Sequence, residues 1–368
     1  MVLIVLAVAV IIILAAIRKV YDKFWSKSLT ATVHFRDAAA FQGDKTELVE
    51  VIVNDKILPI PTLEIDFNLN RRLRFTDASN STVSDKLYRR DVFSLGGRKK
   101  ITRRLELLCR KRGYFTIDGL GLMANDLFMS KKYLTSFKLF DEMYVYPGRI
   151  STERISIPFN KIMGELLSRQ RIYDDPFEFG GIRDYMISDP MKYVNWKASA
   201  KSGKLVVNLH DSSLSQRITL ILDTYDSTGP VDDELNEEAI RIASALSERI
   251  MAAGISLSIT GNGMDLQSFE KLSLNDIKGS SILVKKKLSR LMWDDKEKIA
   301  AVIGEMKRED STLYVLISKN VREDTAEAFY RLCGKEEGLW VLPYKDERPE
   351  VAANGFRVLY WEADQCKT

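Results

Sequence analysis

The sequence predicts an all-β sandwich followed by an α/β domain, both hung from an apolar N-terminal helix. Three observations carry this. Residues 1–17 form an unbroken apolar run, residues 29–149 alternate apolar and polar positions with period two, and strands alternate with helical stretches after Pro158. A length of 368 residues leaves room for two full cores.

The run "MVLIVLAVAVIIILAAI" covers about 25 Å as a helix, slightly short of a hydrocarbon core of roughly 30 Å. Arg18 and Lys19 follow at once and can snorkel to make up the difference. Phe24 and Trp25 fall where an interfacial aromatic belt is expected. A cleaved signal peptide would place basic residues before its apolar core, but Arg18, Lys19, Lys23 and Lys27 all come after it. The expectation is an uncleaved single-pass anchor in the cell membrane, residues 1–28 with the juxtamembrane segment. By the positive-inside rule, the remainder lies in the cytoplasm.

From residue 29 to 150 the chain reads as strands. "TATVHF", "ELVEVIV" and "TLEIDFN" are separated by turn residues such as Gly43-Asp44, Asn54-Asp55 and Pro59/Pro61. "YRRDVFSL", "ITRRLELLCR", "GYFTIDG" and "EMYVYPG" continue the alternation, and no helical pattern interrupts it. Seven or more short strands point to a β-sandwich.

The third part, residues 151–368, mixes both periods. Asp189-Pro190 reads as a helix start, with Trp196 within the helix and Gly203 ending it. The strands "KLVVNL" and "RITLILD" follow, and then a helix over 236–253 closed by Gly254. "ISLSIT", "TLYVLIS" and "LWVLPY" read as strands, with "FRVLYW" closing an edge. Between them, 282–306 reads as helical with a break near Asp294, and 322–333 as a helix. This alternation predicts a parallel sheet with helices on both faces. "TGNG" at 260–263 reads as a turn.

Composition narrows the chemistry. A net charge of +4 against 55 basic and 51 acidic residues does not favour a nucleic-acid binder. Cys109, Cys333 and Cys366 and the two histidines, His34 and His210, are scattered, with no zinc spacing and no basis for Ser-His-Asp or Cys-His catalysis. No catalytic residue is assigned.

"GIRDYMISDPMKYVNWKASAKSGKLVV" resembles the signature of the bacterial family catalogued as domain of unknown function 58. Gly181, Arg183, Tyr185, Asp189, Trp196, Ala198 and Ala200 stand in matching places. Ser188 departs from the pattern's glycine, Lys192 and Lys201 from its arginines, and Val194 from its isoleucine. "RKRGYFTIDGLGLMANDLF" and "YVYPG" are similar to two further segments of that family. The resemblance implies a membrane-anchored protein with a β-sandwich and a von Willebrand factor A-like domain. Family members often sit beside MoxR-type AAA+ ATPases. A MoxR-type ATPase, a client protein, or both are therefore the expected partners, with the membrane held through the N-terminal helix and no nucleic acid.

A metal-ion-dependent adhesion site needs Asp-x-Ser-x-Ser at the end of the first strand, where hard oxygens hold Mg²⁺. Here the strand ends "LILDTYDST". Asp223 and Ser227 fit the outer positions, Tyr225 replaces the middle serine, and Asp226 offers a substitute oxygen. The later strand ends "ISKN", which brings Lys319 towards the same edge. The expectation is a degenerate site that keeps the fold and holds no metal, with Mg²⁺ at Asp223 and Ser227 as the alternative.

Arg183, Asp184, Tyr185, Asp189 and Trp196 have two readings: a partner-binding surface, or a domain-docking segment in which Asp189 caps a helix, Arg183 forms an ion pair and Trp196 is a buried plug. The second is preferred because a buried tryptophan removes roughly 150–250 Å² of apolar surface. The leading functional expectation is a non-enzymatic, membrane-tethered scaffold or adaptor. Its rivals are a metal-dependent adhesion or receptor domain outside the cell and a hydrolase using Asp184, Asp189 and Asp223.

Overall fold

A computed structural model describes residues 2–363 except 78, 127–128, 130, 173–178, 187–188, 192–193, 211–216, 226–232, 294–296, 310–311, 335–337 and 352–355. Two compact units emerge, Met1–Arg149 and Ile150–Thr368.

The first unit begins with α1 (Val2–Phe24), whose Leu3–Phe24 stretch is long and apolar enough to cross a membrane. Side chains such as Leu3, Ile4, Ile11 and Ile12 lie open along it. Its last turns behave differently. Tyr21 is buried and donates its hydroxyl to the Pro59 carbonyl at 2.6 Å. Trp25 is buried too, stacked on Tyr133 with ring centroids 5.4 Å apart. The expected aromatic belt is thus corrected: Trp25 belongs to the sandwich core because Tyr133 offers it a ring, and Phe24 stays at the surface.

One sheet of the sandwich has the order β1-β3-β8-β5, from β1 (Leu29–Phe35), β3 (Lys45–Asn54), β5 (Leu73–Phe75) and β8 (Lys99–Cys109). The other has the order β2-β10-β9-β4-β7-β6, from β2 (Ala39–Phe41), β4 (Ile60–Asn70), β6 (Ser81–Val83), β7 (Lys86–Leu95), β9 (Gly113–Asn125) and β10 (Lys132–Tyr146). In β1, Leu29, Ala31, Val33 and Phe35 point inward and the residues between them outward, which is the period-two pattern made physical. Residues of both sheets share one core.

The second unit opens with α2 (Thr152–Ile172), a helix the sequence pattern did not reveal because Pro158 lies inside it. Ile155, Ile162 and Leu166 nonetheless recur at helical spacing and are buried. A two-stranded antiparallel piece follows, β11 (Phe179–Asp184) with β12 (Val206–His210), and α3 (Trp196–Ser202) lies between them in sequence.

The main sheet contains β13 (Arg217–Leu222), β14 (Ser256–Asp265), β15 (Lys271–Ile277), β17 (Thr312–Ile317), β18 (Gly338–Tyr344) and β19 (Phe356–Glu362). Their order is β15-β14-β13-β17-β18-β19, with the short β16 (Leu291–Met292) pairing β14. Pairings from β14 to β19 are parallel and β15 is antiparallel. All six residues of β17 are buried, as a strand covered on both faces requires. One core packs α2 and α4 (Asp233–Ala252) with α5 (Ser281–Arg290) on one face, and another packs α6 (Ile299–Glu305) and α7 (Glu323–Cys333) on the other. The helical stretch expected over 282–306 with a break near Asp294 is two helices, α5 and α6, with β16 between them in sequence.

Candidate functional site

The sheet order reverses beside β13: the chain runs from β13 outward to β14 on one side and returns to β17 on the other. Crevices outside the carboxyl ends of strands at such switch points are where doubly wound sheets hold ligands. Asp223, the residue after β13, sits at this point and is 1% exposed.

Four donors meet its carboxylate. Oδ1 accepts the Tyr225 backbone N–H and the Asn262 amide NH₂, both at 3.0 Å. Oδ2 accepts the Ser318 hydroxyl at 2.7 Å and the Asn320 NH₂ at 2.9 Å. Both amides are fixed in orientation. Asn262 Oδ1 accepts the Thr224 N–H at 2.8 Å, while Asn320 Nδ2 also donates to the Tyr225 carbonyl at 2.8 Å. Ser318 Oγ in turn accepts the Asn320 N–H at 3.0 Å. An ionised carboxylate offers about four acceptor sites, and here all four are taken by neutral donors.

The groups facing Asp223 are N–H, NH₂ and O–H donors, and an amide nitrogen offers a cation nothing. They do not fit Mg²⁺. Asp226 and Ser227, the other two residues of the expected strand-edge site, lie outside the described residues. Among the described residues no cluster of three His, Cys, Asp or Glu could hold a metal. Tyr225 is half-buried, and the Arg322 guanidinium lies 5.9 Å from its ring centroid.

Asn262 is the residue that sequence reasoning missed. "TGNG" is not a turn but the middle of β14. Its glycines have a steric cause: a Cβ on Gly261 would lie 2.4 Å from the Leu222 carbonyl oxygen, and one on Gly263 would lie 2.8 Å from a Leu291 methyl. Glycine inside a strand signals such close approach, and that was the available clue.

The signature segment forms a separate constellation. Arg183, on β11, makes a two-pronged ion pair with Asp189, NH1 to Oδ2 and NH2 to Oδ1, each at 2.7 Å. Asp189 Oδ2 also accepts the Met186 N–H at 2.9 Å, and the guanidinium beside it holds its carboxyl below the usual range. Asp189 thus closes a tight turn. The α-helix expected from Asp189-Pro190 begins later, which is a correction: Met191 lies in a 3₁₀ turn, and α3 starts at Trp196, capped by Asn195, whose side chain accepts the Ala198 N–H at 2.9 Å. Gly203 does end it, in the left-handed conformation at φ 69°. Asp184 is exposed, and Tyr185, half-buried, is tied by its N–H to the Leu205 carbonyl at 2.9 Å.

Trp196 overturns the buried-plug expectation. It is 61% exposed because the first helical position of α3 turns outward, and Ser199 faces inward instead. Ile182, Met186 and Met191 are also exposed on this piece. No described contact joins the Arg183–Asp189 pair to Asp223.

No family model matches the chain, and no curated protein matches it. Among solved structures it is similar in part to a non-cellulosomal cohesin from Archaeoglobus fulgidus, at 14% identity over 35% of this chain and 97% of that one, with a TM-score of 0.23. It is also similar to the CARDB domain of a Pyrococcus furiosus protein, at 12% identity over 32% of this chain and 93% of that one, TM-score 0.22. A third likeness is to the major pilin SpaD of Corynebacterium diphtheriae, at 13% identity over 32% and 34% of the two chains, TM-score 0.24. The described residues themselves form a mixed α/β, strand-rich chain with two packed β-sheets in the first unit, and among them one helix is long and apolar enough to span a membrane.

Proposed function

We propose that this protein is a non-enzymatic, membrane-anchored adaptor whose second unit is a von Willebrand factor A-like domain with its metal site replaced by hydrogen bonds. The observation that carries the reading is the Asp223 carboxylate, filled by four neutral donors. A carboxylate with its acceptor sites filled in this way leaves no free lone pair for a cation, so what the edge offers is contact surface. A sheet ordered as doubly wound folds are, with an aspartate at its switch point, supports the A-like reading. The hydrolase alternative needs Asp184, Asp189 and Asp223 to act together, whereas Asp189 has both oxygens on Arg183 and Asp223 has both on neutral donors. The resemblance to the domain of unknown function 58 family supports a MoxR-type ATPase as partner, and the basic residues after the apolar run support a cytoplasmic face.

Tyr225 brings contact area and a hydroxyl to that edge, as interface tyrosines do. The test is a pull-down of a MoxR-type ATPase by the full chain in detergent, with and without chelator. Binding should survive chelation wherever the ATPase keeps its own assembly, and should weaken with Tyr225→Ala. Loss of binding on chelation and with Asp223→Ala, while Tyr225→Ala binds normally, would sink the metal-free account. For the side of the membrane, Lys197→Cys in a Cys366→Ser background should resist an impermeant thiol reagent until cells are permeabilised, since Cys109 and Cys333 are buried. Labelling of intact cells would place the adaptor on the wrong side.

A further inference from the structure

The outer edge of β19 ends the main sheet, and no described strand pairs it there. Residues of a parallel strand point their N–H and C=O groups alternately to either side. Ala363 donates its N–H to the Tyr344 carbonyl of β18 at 2.9 Å, so its side of the alternation faces inward. Val358, Tyr360 and Glu362 therefore face outward. The Glu362 carbonyl accepts from Arg154 of α2, which confirms the direction. Among the described residues, nothing bonds the outward N–H and C=O of Val358 or Tyr360.

A trough runs along this edge under α2, as two adjoining cavities of about 510 and 610 Å³ that share Lys161, Val358 and Leu359. Contacts between α2 and β19 mark its two ends: Arg154 with the Glu362 carbonyl, and Glu165 with Arg357. Between them lie two cations without an acidic partner in the described structure. Lys161 reaches in from α2, and Arg348 lies over the Tyr360 ring at 4.2 Å. Ile157 adds an exposed apolar side chain to the wall.

We propose that this edge binds an extended acidic peptide by strand addition. The unpaired groups of Val358 and Tyr360 would supply the ladder bonds, and side chains of an added strand alternate between the two faces. Adjacent acidic residues would then meet Lys161 on one face and Arg348 on the other. Natural sheets protect an edge of this kind, and a lysine beside unpaired groups both discourages neutral strands and selects acidic ones. The surface is distinct from the Asp223 edge and does not depend on the partner proposed there.

The experiment uses the full chain in nanodiscs and a fluorescein-labelled hexapeptide, Thr-Val-Glu-Asp-Val-Thr, with Thr-Val-Lys-Lys-Val-Thr as its counterpart. The acidic probe should bind in preference, and less well as salt rises. Lys161→Glu combined with Arg348→Glu should weaken it by about tenfold or more. Val358→Pro removes only an outward N–H, which an edge strand tolerates, and should weaken binding by roughly fivefold. Methylating the central amides of the probe should do the same while leaving the protein untouched. Equal binding of both peptides, or indifference to the charge reversals and to amide methylation, would overturn the proposal. So would a concentration-dependent dimer in sedimentation that Val358→Pro abolishes, because the occupant would then be a second copy.

Discussion

Asn262 turns its amide nitrogen onto Asp223 Oδ1 at 3.0 Å, held in that sense by the Thr224 N–H on its own oxygen at 2.8 Å. The same nitrogen also donates to the Glu297 carbonyl at 3.0 Å, so one side chain ties β14, β13 and the segment before α6 together. A neutral amide does here what a cation would do in a metal site, at no cost in binding an ion.

Asn262→Asp should therefore damage the edge out of proportion to its size. Asp223 would lose a donor and gain a like charge, and buried carboxylates so close cannot both ionise readily. We expect a loss of about 1–3 kcal/mol at pH 8, recovered in part towards pH 5, in denaturant unfolding of the full chain. If Mg²⁺ restored the loss, the edge would be open to a cation and the hydrogen-bonded account would fail.

Around β11, the ion pair should matter more than the tryptophan. Trp196→Ala removes a side chain that is 61% exposed and should change stability by less than about 0.5 kcal/mol. Asp189→Ala breaks the fork to Arg183 and frees the Met186 N–H, and should destabilise more than Trp196→Ala in denaturant unfolding. The reverse ranking would mean that Trp196 is covered in the working protein.

The last turns of α1 should be coupled to the sandwich. Trp25→Ala empties a packed site beside Tyr133 and should cost about 3–5 kcal/mol, as large core truncations do. Phe24→Ala, at the surface, should cost far less. Equal small effects in amide exchange of β9 and β10 would show that α1 ends in a loose tether.

What could be read from the sequence follows the range of the interactions involved. Period-two alternation marked the sandwich strands because each has one buried face, and Asp223, Ser318 and Asn320 were legible as strand ends. Asn262 was hidden because glycine is common to turns and to crowded strands, and only the Leu222 carbonyl beside Gly261 separates the two. Pro158 concealed α2 for a similar reason: it costs a helix one bond, and the burial of Ile155, Ile162 and Leu166 outweighs that. Trp196 and Trp25 failed in opposite directions, since residue type says what burial would gain and not where the neighbours are.

The last prediction concerns Glu50 on β3, which is 1% exposed with neither carboxylate oxygen hydrogen-bonded. Asp91 on β7 has drawn the nearby donors to itself, with Arg89 Nε at 2.6 Å, an Arg103 nitrogen at 2.8 Å and Asn80 Nδ2 at 2.9 Å. Burial first, and then repulsion from Asp91, push the Glu50 carboxyl up to about 7, while Arg103 and Arg89 only partly oppose this. The folded chain thus keeps a proton that the unfolded chain releases near the ordinary value of 4.5. Between those two values the folded state binds more protons, so stability must fall as pH rises through the window, by about 3 kcal/mol at most. Above the upper value this group adds no further change, and below the lower one it removes nothing. Glu50→Gln abolishes the titration while keeping the shape. It should leave stability near pH 4.5 little altered, raise it at pH 8, and flatten the slope between, read by exchange of the β3 and β8 amides in the full chain. Parallel pH curves for the two proteins would mean that Glu50 ionises as freely folded as unfolded, and that water or a cation reaches it between the sheets.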